Sequence, residues 1–107
     1  MTDNEGGQEP LRYQDSDGRH SRHRVTVYGL QNCSPCRDAR QFLANHDVAH
    51  RYVMVDWQLP QTRRAIKQQL EQACGGRPVY PAIEVDGTLY FGFDAGRWAE
   101  LLSLDSV

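Results

Sequence analysis

Hydrophobic and polar positions divide the chain into two unequal parts. Residues 1 to 24 are almost wholly polar, and after Met1 their only large apolar residues are Leu11 and Tyr13. Such a stretch buries too little apolar surface to offset its ordering entropy, so the pattern predicts a disordered N-terminal tail over 1–24. From residue 25 the pattern becomes periodic. Val25-Thr26-Val27-Tyr28 alternates and stops at Gly29, which predicts a strand. Ala39, Phe42, Leu43 and His46 recur at helical spacing and predict a helix over about 34–46. Residues 51–56 read as a second strand. Pro60 opens a second helix whose expected inner face is Ala65, Ile66, Gln69, Leu70 and Ala73, and Gly75-Gly76 ends it. Two short apolar runs, 81–85 and 88–91, flank Asp86-Gly87, a two-residue hairpin signal because glycine tolerates the positive φ that the turn needs. Asp94 is placed to cap a last helix containing Trp98, Leu101 and Leu102.

The predicted order is therefore β-α-β-α-β-β-α over residues 25–107. A helical crossover makes the first two strands parallel, and the hairpin makes the last two antiparallel. The fold class is α/β, a four-stranded mixed sheet flanked by three helices. No internal repeat is visible.

Composition narrows the function. The 107 residues make one domain with a tail, and the net charge of −2 supplies no global field for nucleic acid. No stretch is long and apolar enough to span a bilayer, and the N-terminus lacks the apolar run of a signal peptide. Three cysteines, an odd number, do not suggest the paired framework of a small secreted protein. The expectation is a cytoplasmic monomer with reduced thiols.

Two of those cysteines, Cys33 and Cys36, enclose Ser34 and Pro35 where a strand gives way to a helix. A cysteine at the helix start faces unpaired backbone N–H groups and the positive end of the helix dipole, and both favour thiolate. In such motifs thiol pKa values fall to roughly 3.5–7.5, and thiolate is the attacking form in disulfide exchange. Cys33 would attack a substrate disulfide, and Cys36, one turn further in, would attack the mixed disulfide. Pro35 costs no hydrogen bond in the first turn and stiffens the loop. Ser34 can place a hydroxyl near the sulfurs. The alternative is a metal- or iron–sulfur-binding module. A structural zinc site takes four ligands, and the other candidates, Cys74, His46 and His50, form no second close pair. Two inert core cysteines fit less well at an exposed helix start. Val79-Tyr80-Pro81 is the second feature. Proline is tolerated at the first residue of a strand, and a cis bond there would turn the backbone of Tyr80 towards a docked peptide or thiol.

Three separated stretches, "VTVYGLQNCSPC", "VYPAIEVDG" and "YFGFD", resemble the glutaredoxins of the thioredoxin-like superfamily, and the resemblance covers about residues 25 to 103. It implies a thioredoxin-like fold and thiol–disulfide oxidoreductase activity, with Cys33 as nucleophile and Cys36 as resolving thiol and no bound cofactor or metal. Pro81 would be the family's cis-proline, with Tyr80 where valine is usual, and Gly92 the glycine after the last strand. Tyr28, Ser34, Pro35, Tyr80, Pro81, Arg77, Gly92 and Phe93 would meet the substrate. Electrons would come from glutathione or from thioredoxin reductase and NADPH, and the partner would be a protein disulfide. Members that use glutathione carry a basic residue where Leu30 stands, a second glycine where Phe93 stands, and an acidic pair where Ala95 and Gly96 stand. The Gly92-Phe93 loop is similar to that of the redoxins that reduce ribonucleotide reductase, although those too carry a basic residue at the position of Leu30.

Overall fold

The computed structural model of the chain describes residues 9–104. Strand alternation produces the expected burial: Val25, Val27 and Gly29 of β2 (Val25–Gly29) point to one face, and Thr26 and Tyr28 to the other. Helix α1 (Ser34–Asn45) follows, with Cys36, Ala39 and Leu43 as its buried stripe. Strand β3 (His50–Met54) then lies parallel to β2, pairing Val27 with Tyr52 and Tyr28 with Val53. The chain leaves β3 through a 3-10 turn, Val55–Trp57, where the sequence pattern predicts continued strand.

Helix α2 (Pro60–Cys74) starts at its proline and ends on Gly75, whose φ of 81° lies in the left-handed region that glycine adopts without a Cβ penalty. Of its expected inner face, only Ile66 and Leu70 are buried, while Ala65, Gln69 and Ala73 are exposed. Strands β4 (Ala82–Val85) and β5 (Thr88–Phe91) form the hairpin, with positive φ at both Asp86 and Gly87. Asp94 caps α3 (Ala95–Leu101) by accepting from the Arg97 N–H at 2.9 Å.

The sheet has five strands in the order β1-β3-β2-β4-β5, not the four that the pattern predicts. The extra strand, β1 (Gln14–Ser16), comes from the segment expected to be disordered and runs antiparallel to β3, pairing Gln14 with Tyr52 and Ser16 with His50. The expectation of a disordered tail is thus overturned for residues 9–24, and its first eight residues lie outside the described part. The segment does not bury its own apolar residues: Leu11 and Tyr13 are 40% and 50% exposed. Polar contacts to the domain hold it instead. Buried Gln58 accepts from the Arg12 N–H at 3.0 Å and donates to the Arg12 carbonyl at 2.8 Å. Glu9 accepts from the Thr62 N–H at 3.0 Å, supplying the α2 cap that Leu59 lacks. Arg51 pairs with Asp15 at 2.8 Å, and its guanidinium carbon stacks 3.6 Å from the Tyr13 ring centroid.

Two apolar clusters sandwich the sheet. Val25, Val27, Tyr52, Ile83 and Val85 meet α1 and α3 through Ala39, Leu43 and Trp98, and the α3 C-cap through Leu102. Val53 and Ala82 meet α2 through Ile66 and Leu70 on the opposite face.

Candidate active site

Cys33 is the N-cap of α1, in an extended conformation (φ −152°, ψ 105°) that turns its side chain back over the first turn. Its sulfur accepts from the Cys36 N–H at 3.3 Å, and its carbonyl accepts from the Arg37 N–H at 3.1 Å. Cys33 and Cys36 are joined as a disulfide, with their Cα atoms 5.2 Å apart. The two sulfurs differ in access: Cys33 is partly exposed, whereas Cys36 is 1% exposed. Ser34 and Pro35, between them, are exposed. The Ser34 hydroxyl accepts from the Arg37 guanidinium at 3.0 Å, so a fixed positive charge stands beside the loop.

The remaining expected site residues separate into groups. The Tyr80–Pro81 bond is cis. Pro81 directly precedes β4, whose last pairing with β2 joins Ala82 to Tyr28, and a Cβ built on the next β2 residue, Gly29, would lie 3.3 Å from Cys36 Sγ. Gly92, at φ 88°, donates its N–H to the Pro81 carbonyl at 2.8 Å, and its own carbonyl accepts from the Trp98 indole at 3.0 Å. Pro81 and Gly92 are thereby tied together. Phe93 turns towards the core, edge-on to Trp98 at 5.0 Å and to Phe42 at 5.6 Å, and stays partly exposed. Tyr28 and Tyr80 pack with Leu30 on the α2 side. Burial, followed by Glu84, pushes the Tyr28 phenol above its ordinary pKa; burial, followed by Glu71 and Asp56, does the same for Tyr80. The Tyr80 hydroxyl is buried and has no hydrogen-bond partner among the described residues. Arg77 is exposed, and its carbonyl accepts from the Cys74 thiol at 3.6 Å. Among the described residues no group of three or more His, Cys, Asp or Glu side chains could hold a metal ion.

Sequence reasoning missed the support beneath the loop. The Gln31 N–H donates to the Asp56 carboxylate at 3.2 Å, and the Trp57 indole donates to the Gln31 side chain at 3.2 Å. The turn after β3 therefore anchors the approach to Cys33. It also missed Tyr52, whose hydroxyl lies over Gly29 beside Cys36. The only sequence signal was a glycine at a strand end, which reads equally well as a terminator.

The glutaredoxin family profile matches residues 25–90, well over half the chain and including both cysteines and the cis-proline. The chain belongs to the glutaredoxin family. Solved structures share the glutaredoxin fold. A glutaredoxin from Methanosarcina mazei superposes with a TM-score of 0.77 at 22% identity, covering 94% of this chain and 96% of that one. Methanosarcina acetivorans methanoredoxin gives 0.69 at 20% identity, covering 84% and 98%. A glutaredoxin from Archaeoglobus fulgidus gives 0.67 at 21% identity, covering 76% and 87%. No curated protein sequence gives a significant match. Among the described residues no helix is long and apolar enough to cross a membrane.

Proposed function

We propose that this glutaredoxin-family protein is a dithiol–disulfide oxidoreductase that reduces protein disulfides, with Cys33 as nucleophile and Cys36 as resolving thiol. The observation that carries the reading is the asymmetry of the pair: an accessible sulfur at a helix N-cap is bonded to a buried one a turn inside. In the reduced protein the Cys36 N–H and the helix dipole favour negative charge on Cys33. The Cys33 thiolate attacks one sulfur of the substrate disulfide, and the other sulfur departs with the bonding electrons and takes a proton. Cys36 then loses its proton and attacks Cys33 Sγ. The Cys33–Cys36 bond forms, the bond to the substrate breaks, and the second substrate thiol is released. Two electrons pass to the substrate, and a reductant must return them.

For that reductant we favour thioredoxin reductase with NADPH over glutathione. Leu30 and Tyr80 pack together against the α2-side cluster, and Val79, beside Gly92, is 54% exposed. The surface next to the cis-proline is thus apolar, whereas the carboxylates of glutathione call for charge-assisted hydrogen bonds. In this reading the protein-contact rim is formed by Ser34 and Pro35, exposed between the two cysteines, together with Pro81 and Gly92, which are bonded to each other. A reducing compartment, the cytoplasm in this reading, lets the pair cycle.

The test reduces the oxidised protein in parallel with thioredoxin reductase plus NADPH and with glutathione, glutathione reductase and NADPH. Turnover is expected with thioredoxin reductase and is expected to vanish in Cys33→Ser. Full disulfide reductase activity in Cys33→Ser would overturn the dithiol reading. Fast turnover with glutathione alone would overturn the choice of donor.

A further inference from the structure

Reduction leaves Cys36 with a problem that the disulfide hides. To resolve a mixed disulfide its sulfur must carry negative charge, yet the residue is 1% exposed, so water cannot solvate that charge freely. A buried charge without a hydrogen-bond donor is strongly disfavoured. The Cys36 N–H already points at Cys33 Sγ. A side chain placed to supply a donor is Tyr52, 3% exposed on the α1 face of β3. A Cβ at Gly29 would overlap its hydroxyl and would lie 3.3 Å from Cys36 Sγ, so hydroxyl and sulfur share the space that the missing side chain leaves open.

The ring is held in place from above. The Arg40 guanidinium carbon lies 4.1 Å from the Tyr52 ring centroid, and the same guanidinium donates to Gln14 of β1 at 2.8 Å. Burial pushes the Tyr52 phenol above its ordinary pKa, with Arg40 opposing and Asp56 reinforcing the shift, so at neutral pH the group remains a donor.

We propose that Tyr52 is a positioning residue for the resolving thiol, its hydroxyl donating a hydrogen bond to the Cys36 sulfur when that sulfur is released as thiolate. The proposal rests on the reading of Cys36 as the resolving thiol. Tyr52 neither gains nor loses a proton: the Cys36 proton goes to solvent, the Cys36 electron pair forms the bond to Cys33, and the substrate sulfur leaves with its own pair.

The test measures the ionisation of Cys36 itself, with no turnover required. In a Cys33→Ser, Cys74→Ser background Cys36 is the only thiol in the chain. Its alkylation rate against pH gives the thiolate midpoint, with and without Tyr52→Phe. The charged groups around the site, Arg37 and Arg40 on α1 and Asp56 after β3, are unchanged by that substitution. A hydrogen bond to a charged group corresponds to a midpoint rise of about one to two pH units in Tyr52→Phe, a roughly tenfold to hundredfold weaker ionisation. Gly29→Ala, which displaces the hydroxyl while keeping the tyrosine, is expected to raise the midpoint in the same direction. A midpoint unmoved by Tyr52→Phe, or by Gly29→Ala where the first variant fails to fold, would overturn the proposal. Activity surviving in Cys33→Ser would instead overturn the dithiol reading, a separate outcome from a separate assay.

Discussion

Gln58→Leu should peel the N-terminal strap from the domain. The Gln58 side chain is 3% exposed and holds three hydrogen bonds. Its oxygen accepts from the Arg12 N–H at 3.0 Å, and its amide donates to the Arg12 carbonyl at 2.8 Å and the Met54 carbonyl at 3.0 Å. Leucine is close in volume, so the cavity it leaves is small, and the loss is one of hydrogen bonds. Each net bond contributes about 0.5–1.5 kcal/mol, so three contribute about 1.5–4.5 kcal/mol. The upper end is not reached, because the backbone of exposed Arg12 regains water once the strap lifts. The strap's remaining side-chain contacts, Asp15–Arg51, Gln14–Arg40 and Glu9–Thr62, are exposed or only partly buried, so each holds it less firmly than buried Gln58 does. A loss of about 1.5–3 kcal/mol follows from these two limits.

With an unfolding entropy of about 2.1 cal/mol/K per residue, 1 kcal/mol corresponds to about 4 °C for a domain of this size. Calorimetry should therefore record a Tm lower by about 6–12 °C. Amide hydrogen exchange should show loss of protection where β1 pairs with β3, at Gln14–Tyr52 and Ser16–His50. A Tm unchanged within about 2 °C, with those amides still protected, would refute the claim that Gln58 holds the strap.

Asp94→Ala removes the N-cap of α3, and the unpaired Arg97 N–H should cost about 1 kcal/mol, a Tm about 4 °C lower by calorimetry. Alkaline pH should destabilise the protein. Burial raises the phenol pKa values of Tyr28, Tyr52 and Tyr80, so as pH climbs past about 10 the unfolded state releases phenol protons first and stability falls. Urea midpoints at about pH 8 and about pH 11 check this: a lower midpoint at the higher pH is expected, and equal midpoints would refute it.

The parts of this fold that the sequence made legible are those whose burial is periodic. Val25 and Val27 alternate because one sheet face is covered by α1 and α3, and Ala39 and Leu43 repeat at helical spacing because one side of α1 meets that face. Asp86-Gly87 and Cys33-Ser34-Pro35-Cys36 are legible because local backbone chemistry dictates those residue types. The strap obeys neither rule. Arg12 and Gln58 are 46 residues apart, and a bond from side chain to backbone leaves no period in either segment. The low apolar content of residues 9–24 is real, but burial is not the only way to order a chain: Gln58, Thr62, Arg40 and Arg51 provide partners that a hydropathy pattern does not register. The 3-10 turn after β3 was hidden for a related reason, since Val55 is buried as a strand residue would be.

The same blind spot covered the support of the site. Tyr52 reads from sequence as an ordinary aromatic strand residue, and only the parallel register of β2 and β3 brings it over Gly29 and beside Cys36. The strap then enters the chemistry through a short physical chain. Gln14 of β1 accepts from Arg40, Arg40 covers the ring of Tyr52, and the hydroxyl of Tyr52 borders the buried sulfur. Each link is a contact between segments distant in sequence. A strap lifted by Gln58→Leu should accordingly free Arg40 from Gln14 while leaving Cys33 at its N-cap. On the proposed roles, the link through Arg40 and Tyr52 carries the change to the Cys36 step, whereas an effect on Cys33 would have to pass through the turn that holds Gln31.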